Sequence, residues 1–303
     1  MSFTLFEDAC RFDLLPFTFT RPAYALRAGI FTFRERWAHA LGEPVRCMAY
    51  DYLRPHFDEM PDAAETTFVN GRFVPNDDLL RLIRETAPGS YFVNEQGEVL
   101  SARFSPVLFP GDHKGLLDTQ LLEQMGLKEE KTGIGTQALR MAPDLFRLNR
   151  QLIAYDFEWV LRHAARDKIR DPYTRVYGED NLFVEPGAQV RAAIINAEDG
   201  PVYIGKGVQV QEGAIIKGSH AFCEMAVVSM GAKLRGDSTI GPHCKAGGEI
   251  TNSVLMGYSN KGHDGYLGNS VLGYWCNMGE GTNASILKNN YASVRIWNYR
   301  QER

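Results

Sequence analysis

Aliphatic or aromatic residues recur at an unbroken spacing of six through Ile204, Val210, Ile216, Phe222, Val228, Leu234 and Ile240. The position four residues on is mostly small, as at Val208, Ala214, Ala226, Ala232, Ser238 and Cys244, and Gly213, Gly231, Gly241 and Pro242 mark corners. A six-residue period of this kind predicts a parallel β-helix, in which every sixth side chain points inward and successive coils pair one another's backbone edges. Val184 and Val190 share the spacing, and an insertion over 194–202 breaks the phase before Ile204. The phase lapses again between Ala246 and Leu267, which predicts an outward loop.

The first half carries a different pattern. Strand-like runs at 2–6, 45–50, 66–69 and 91–94 are interleaved with helical stretches near 29–41 and 76–86, the latter opened by Asp77 and Asp78. The alternation predicts an α/β domain with a Rossmann-like sheet over residues 1–142. Pro143 and Asp144 open a longer helix whose Leu145, Leu148, Leu152, Tyr155 and Trp159 follow helical spacing. Residues 143–176 are read as a bridging segment, and 177–303 as the all-β solenoid.

Composition narrows the function classes. The chain has 303 residues, 44% of them apolar and 23% charged, which suits about two globular domains. Glu7 and Asp8 stand where a signal peptide would be basic and then apolar, and no apolar run approaches the roughly 20 residues of a membrane span. A cytoplasmic location without a membrane partner is expected. A net charge of −4 offers no basic field for nucleic acid, and five cysteines without a CxxC pair argue against zinc sites and disulfide frameworks.

The stretch Leu14-Leu15-Pro16-Phe17-Thr18-Phe19-Thr20-Arg21-Pro22 resembles the signature of sugar-1-phosphate nucleotidyltransferases, R-L-x-P-L-T-x-x-x-P-K. With the solenoid behind it, the chain resembles the GlmU-like family, in its subgroup with the LLPxTFTRP variant. That family joins a nucleotidyltransferase domain to a left-handed β-helix acyltransferase domain. The family's loop glycines let backbone amides approach phosphate oxygens, and its Lys neutralises them. Here the loop reads Asp8-Ala9-Cys10-Arg11-Phe12-Asp13, and Ala23 replaces the Lys. Arg72, in Val69-Asn70-Gly71-Arg72, replaces the Asp that helps hold magnesium. Phosphoryl transfer rests on positioning and charge neutralisation, so these losses predict a degenerate site that needs Mg2+ only if it is active. Arg11, Arg21 and Arg27 could still bind an anion; for Arg21 a structural pair is the favoured reading.

Lys261-Gly262-His263-Asp264-Gly265-Tyr266-Leu267-Gly268 resembles the family's K-x-G-H-x-x-Y-L-G stretch. The resemblance implies His263 as the base that takes a proton from an acceptor amine attacking a thioester, a role suited to imidazole. It also implies Tyr266 and Asn277 as sugar contacts and Lys233 as a phosphate contact, although a solvated face explains Lys233 equally well. His113, His220 and His243 are read as surface or corner residues. Two family contacts are replaced, by Thr251 and Ile286, and the tail from Ser293 to Tyr299 is expected either to cap the solenoid or to mark a truncated form.

The leading expectation is an acetyl-CoA-dependent acyltransferase acting on an amino sugar phosphate, with a homotrimer implied by the resemblance. The alternatives are a uridylyl- or thymidylyltransferase acting on a sugar-1-phosphate, and a non-catalytic trimer that binds a sugar nucleotide.

Overall fold

The computed structural model describes residues 2–59, 65–110, 113–293, 295, 297–300 and 302. The chain divides into two compact units: Met1–Leu26, Thr32–Ala142 and Trp297–Arg303 form the first, and Arg27–Phe31 with Pro143–Ile296 the second.

The first unit is built on a mixed six-stranded sheet of order β2-β1-β3-β5-β4-β6, with β1 Phe3–Phe6, β2 Arg46–Cys47, β3 Thr66–Asn70, β4 Ser90–Val93, β5 Val99–Phe104 and β6 Lys128–Lys131. Strands β1, β2 and β3 are parallel, and β5 runs antiparallel to β3 and β4. Their residues are mostly buried; Phe68 and Phe104 stack at 4.4 Å. Helix α1, Phe33–Leu41, starts later than its hydrophobic pattern implied. Thr32 and Glu35 form a reciprocal capping box there, and Gly42 in the left-handed region closes the other end. A short helix α2, Arg54–Phe57, follows β2. Helix α3, Asp77–Glu85, is capped by Asn76, whose side chain accepts from Leu79 N, and α4, Thr119–Gln124, is capped likewise by Asp118.

The second unit is a parallel β-solenoid of about six coils, the all-β architecture expected, and its three-faced section fits a left-handed β-helix. Face one runs from Arg175–Tyr177 to Tyr266–Gly268, face two from Leu182–Val184 to Val271–Tyr274, and face three from Gln189–Val190 to Asn260–Lys261. His220 pairs with Val202 on one side and Ser238 on the other, 18 positions away in each direction, so three hexads make one coil. Ile204, Val210, Ile216, Phe222, Val228, Leu234 and Ile240 are buried in a common core, as are the small residues four positions on.

Against the middle of face two packs the helical bridge, and here the expected stripe shifts. The helix breaks at Leu148 into α5, Asp144–Arg147, and α6, Asn149–His163. Its buried face is Leu152, Ile153, Asp156, Phe157 and Val160, while Tyr155 is exposed. Ile153, Phe157 and Val160 cluster with Phe183, Tyr203 and Ala221, the outward side chains of face two. Arg27–Phe31 joins them: Asp156 accepts from Ile30 N at 2.8 Å, Asn149 Oδ1 accepts from Gly29 N at 2.7 Å, and Thr239 Oγ1 donates to Gly29 O at 2.9 Å. Gly29 has φ +78°, and a Cβ there would lie 2.5 Å from Asp156 Oδ2, so both conformation and space demand glycine.

The lapse between Ala246 and Leu267 produces no outward loop. Leu255, Lys261 and Leu267 face inward on successive faces, and the coils shorten at their corners: Val254 pairs with Thr239, 15 positions earlier, and Val271 pairs with Val254, 17 positions earlier. Beyond the last full coil, Asn277 and Ala284 bridge to Asn260 and Leu267, with Met278 and Ala284 packed against the core. In the tail, Arg300 pairs with Asp13 at 3.0 Å and Tyr299 packs edge-on against Phe19, both contacts within the first unit. Val294 and Ile296 of that tail lie outside the described residues.

Candidate functional site

The residues singled out in the sequence fall into two constellations, one in each unit. In the first unit, β1 and β3 run in parallel and deliver Asp8 and Arg72 just past their C-terminal ends, while Glu98 precedes β5. Arg72 is buried. Its guanidinium donates to Asp8 at 2.7 Å and to Glu98 at 3.0 Å, and Arg140 donates to the other Glu98 oxygen at 2.7 Å. Burial works against the charge on Arg72, but the two carboxylates outweigh it and raise its pKa. Glu98 also resists burial, and hydrogen bonds from Arg140, Asn94 and Arg72 hold it down at about 2.

The loop Asp8–Asp13 is a short 3-10 turn rather than an open phosphate cradle. Asp8 accepts from Cys10 N at 3.0 Å, and burial pushes the Cys10 thiol up to about 11. Arg11 is buried against Glu7, donates to Thr18 O at 2.7 Å and lies 4.2 Å from the Tyr50 ring centroid. Glu7 is itself buried, which raises its pKa, and accepts from Ala23 N at 2.8 Å. Arg11 and Arg27 are thus engaged internally, Arg27 with Ile30 O in the second unit. The donors around Arg72 do not fit a magnesium ion, because guanidinium groups already match the Asp8 and Glu98 carboxylates. No group of three or more metal-type side chains forms among the described residues.

In the second unit, His263 is exposed at the tight corner where face three passes into face one, between Asn260–Lys261 and Tyr266–Gly268. Tyr266 opens the next strand, and its N–H donates to Asn283 Oδ1 at 2.7 Å. Tyr266, Glu249 and Lys233 occupy one register column on successive coils of face one. With parallel strands about 4.8 Å apart, Lys233 lies about 10 Å down the column from Tyr266. Glu249 intervenes and pairs with Arg235. Asn277 bridges to Asn260 on face three, one coil beyond His263. The corner therefore joins His263 and Tyr266, with Asn277 on the adjoining face and Lys233 two coils away.

Two features near this corner escaped the sequence reading. Lys261 is inward-facing and fully buried; an apolar residue was the natural expectation at that phase, and only the coil register shows where Lys261 points. At another corner, His243, Tyr258 and Trp275 stack at 4.9 and 4.8 Å with φ of 56°, 52° and 60°. Their separations of 15 and 17 residues were the available signal. His220, read as surface or corner, is fully buried, and burial lowers its pKa to about 4.

A family model described as Sugar nucleotidyl transferase matches residues 3–165, more than half of the chain. The chain belongs to that family. With its C-terminal β-solenoid it has the make-up of a GlmU-like fusion. It is 31% identical over 121 residues to the bifunctional protein GlmU of Rippkaea orientalis, covering 34% of this chain and 25% of that protein. The GlmU of Anaplasma marginale strain Florida is 43% identical over 88 residues, 27% of this chain and 21% of that protein. The match to the Trichodesmium erythraeum GlmU is 39% over 66 residues, 21% of this chain and 13% of that protein. In these comparisons the chain spans a quarter or less of its relatives' length. None of its described helices is long and apolar enough to cross a membrane.

Proposed function

We propose that the chain acts in sugar-nucleotide metabolism as an acyltransferase that N-acylates an amino sugar phosphate, with acetyl-CoA as acyl donor, in a homotrimer. The observation that carries this reading is the solenoid corner, which presents the exposed His263 imidazole beside Tyr266 on a backbone held in register by its neighbouring coils. The acceptor amine attacks the thioester carbonyl while His263 takes one of its protons. The C–N bond forms, the C–S bond breaks, and the departing thiolate receives a proton. Tyr266 and Asn277 hold the sugar hydroxyls. Lys233 meets the phosphate only if the sugar extends down face one, since it stands about 10 Å from Tyr266 at the β-strand spacing.

The test is thiol release from acetyl-CoA with a panel of amino sugar phosphates, on wild type and His263→Ala together. Turnover lost in the variant supports the reading, and equal rates in both remove it. Family membership over 3–165 favours a second reading, a sugar-1-phosphate nucleotidyltransferase. Against it stands Arg72, whose ion pairs occupy the carboxylates a metal would need. Magnesium-dependent pyrophosphate release would establish it.

A further inference from the structure

The His263 corner is built from beneath by a buried charge. Lys261 points into the solenoid between Ala246 and the next coil and has no exposed surface. Its ammonium donates to Gly247 O at 3.2 Å, on the coil below, and to His263 O, on its own coil. Burial lowers the Lys261 pKa, opposed only by Asp264. A charge is costly in such surroundings unless it is paired or well hydrogen-bonded, and here two backbone carbonyls serve.

The backbone around the corner leaves no slack. A Cβ on Gly247 would lie 2.2 Å from Gly262 O, and one on Gly248 would lie 2.9 Å from His263 O. Glu249 N donates to Gly265 O at 3.0 Å from below, and Gly281 N donates to Asp264 O at 3.2 Å from above. Residues 262–265 are thus clamped between coils, and the Lys261 ammonium is the side-chain group that ties the His263 carbonyl to the coil beneath.

We propose that Lys261 is a positioning residue: its buried ammonium bridges Gly247 O and His263 O and so sets the place of the His263 imidazole. This rests on the acyltransferase reading for its kinetic consequence, though not for its structural one. Lys261→Met keeps the length and apolar stem but removes the donors. Exchange of the Gly247, Glu249 and Gly281 amides, which donate to the carbonyls of Lys261, Gly265 and Asp264, should then speed up at least about tenfold while the amides of the Val202–Ile204 and His220–Phe222 strands keep wild-type protection. With acetyl-CoA and the best acceptor, kcat should fall on the order of 10- to 100-fold with KM nearly unchanged, the effect of a base displaced by about 1 Å. Lys261→Gln, which retains one donor, should recover part of both. If Lys261→Met does not fold, Lys261→Gln carries the exchange test alone. Wild-type exchange and kcat in the folded variants would overturn the proposal. Absence of turnover in wild type would remove the acyltransferase reading, while the exchange comparison would still decide whether Lys261 anchors the corner.

Discussion

Replacing Arg72 by Met removes a guanidinium that makes three contacts of 2.7–3.1 Å to Asp8, one of 3.0 Å to Glu98 and one of 3.4 Å to Leu139 O. At about 3 Å and an effective dielectric near 20, each ion pair is worth roughly 5 kcal/mol before desolvation is subtracted. Loss of one partner from a buried pair costs about 3–5 kcal/mol, because the remaining charge is stranded. Glu98 keeps Arg140 and Asn94, and Asp8 keeps Asn70 and Cys10 N, so the lower end of that range applies, about 3 kcal/mol. The pH dependence identifies the cause. Glu98 has its folded pKa depressed to about 2 from an ordinary 4.5, so it contributes stability above 4.5 that is lost as pH falls through 2. Arg72→Met forfeits part of that contribution, so the gap between variant and wild type should narrow as pH falls from 5 towards 2. Urea unfolding with hydrogen exchange read on the β3 and β5 peptides reports this unit alone. A deficit below about 1 kcal/mol at pH 7, in the range of an exposed pair, or one independent of pH, would refute the reasoning.

Arg72→Asp should give no detectable magnesium-dependent nucleotidyl transfer in a pyrophosphate-release assay, because the loop glycines and the Lys remain absent; a large gain would show a competent site. His220 is buried as the neutral imidazole with a folded pKa near 4 against 6.5 unfolded, so the unfolded chain binds the proton first. The solenoid should therefore lose about 3 kcal/mol as pH falls from 6.5 to 4, and denaturant unfolding of His220→Leu should lack this slope. Gly29→Ala places a Cβ against Asp156 at positive φ and should cost about 2–3 kcal/mol, read as faster exchange in α6. Leu234→Ala, which empties a fully buried core position, should cost about 2–5 kcal/mol in unfolding of the second unit.

Much of the candidate chemistry was legible because it lies in short local patterns. The stretch from Lys261 to Gly268 named His263 and Tyr266, and the register places them at one corner. Lys233 and Asn277 were named from separate stretches, and their distances from that corner depend on how many coils intervene, which the irregular 15- and 17-residue coils change. Arg72 was recognised as unable to hold a metal, but its pairing with Asp8, 64 positions away, required the sheet.

The sequence alone determined the solenoid, because a six-residue period leaves one inward side chain per face, and burying that stripe admits few other folds. It determined where α3 begins as well, since Asp77 and Asp78 stand in its first turn. Only the tertiary structure decided that Arg27–Phe31 belongs with the solenoid, that α6 turns Ile153 and Phe157 inward rather than Tyr155, and that Lys261 points inside. Each of these depends on which distant backbone groups need a partner and which surface is left to cover, and neither is encoded in the spacing of neighbouring residues.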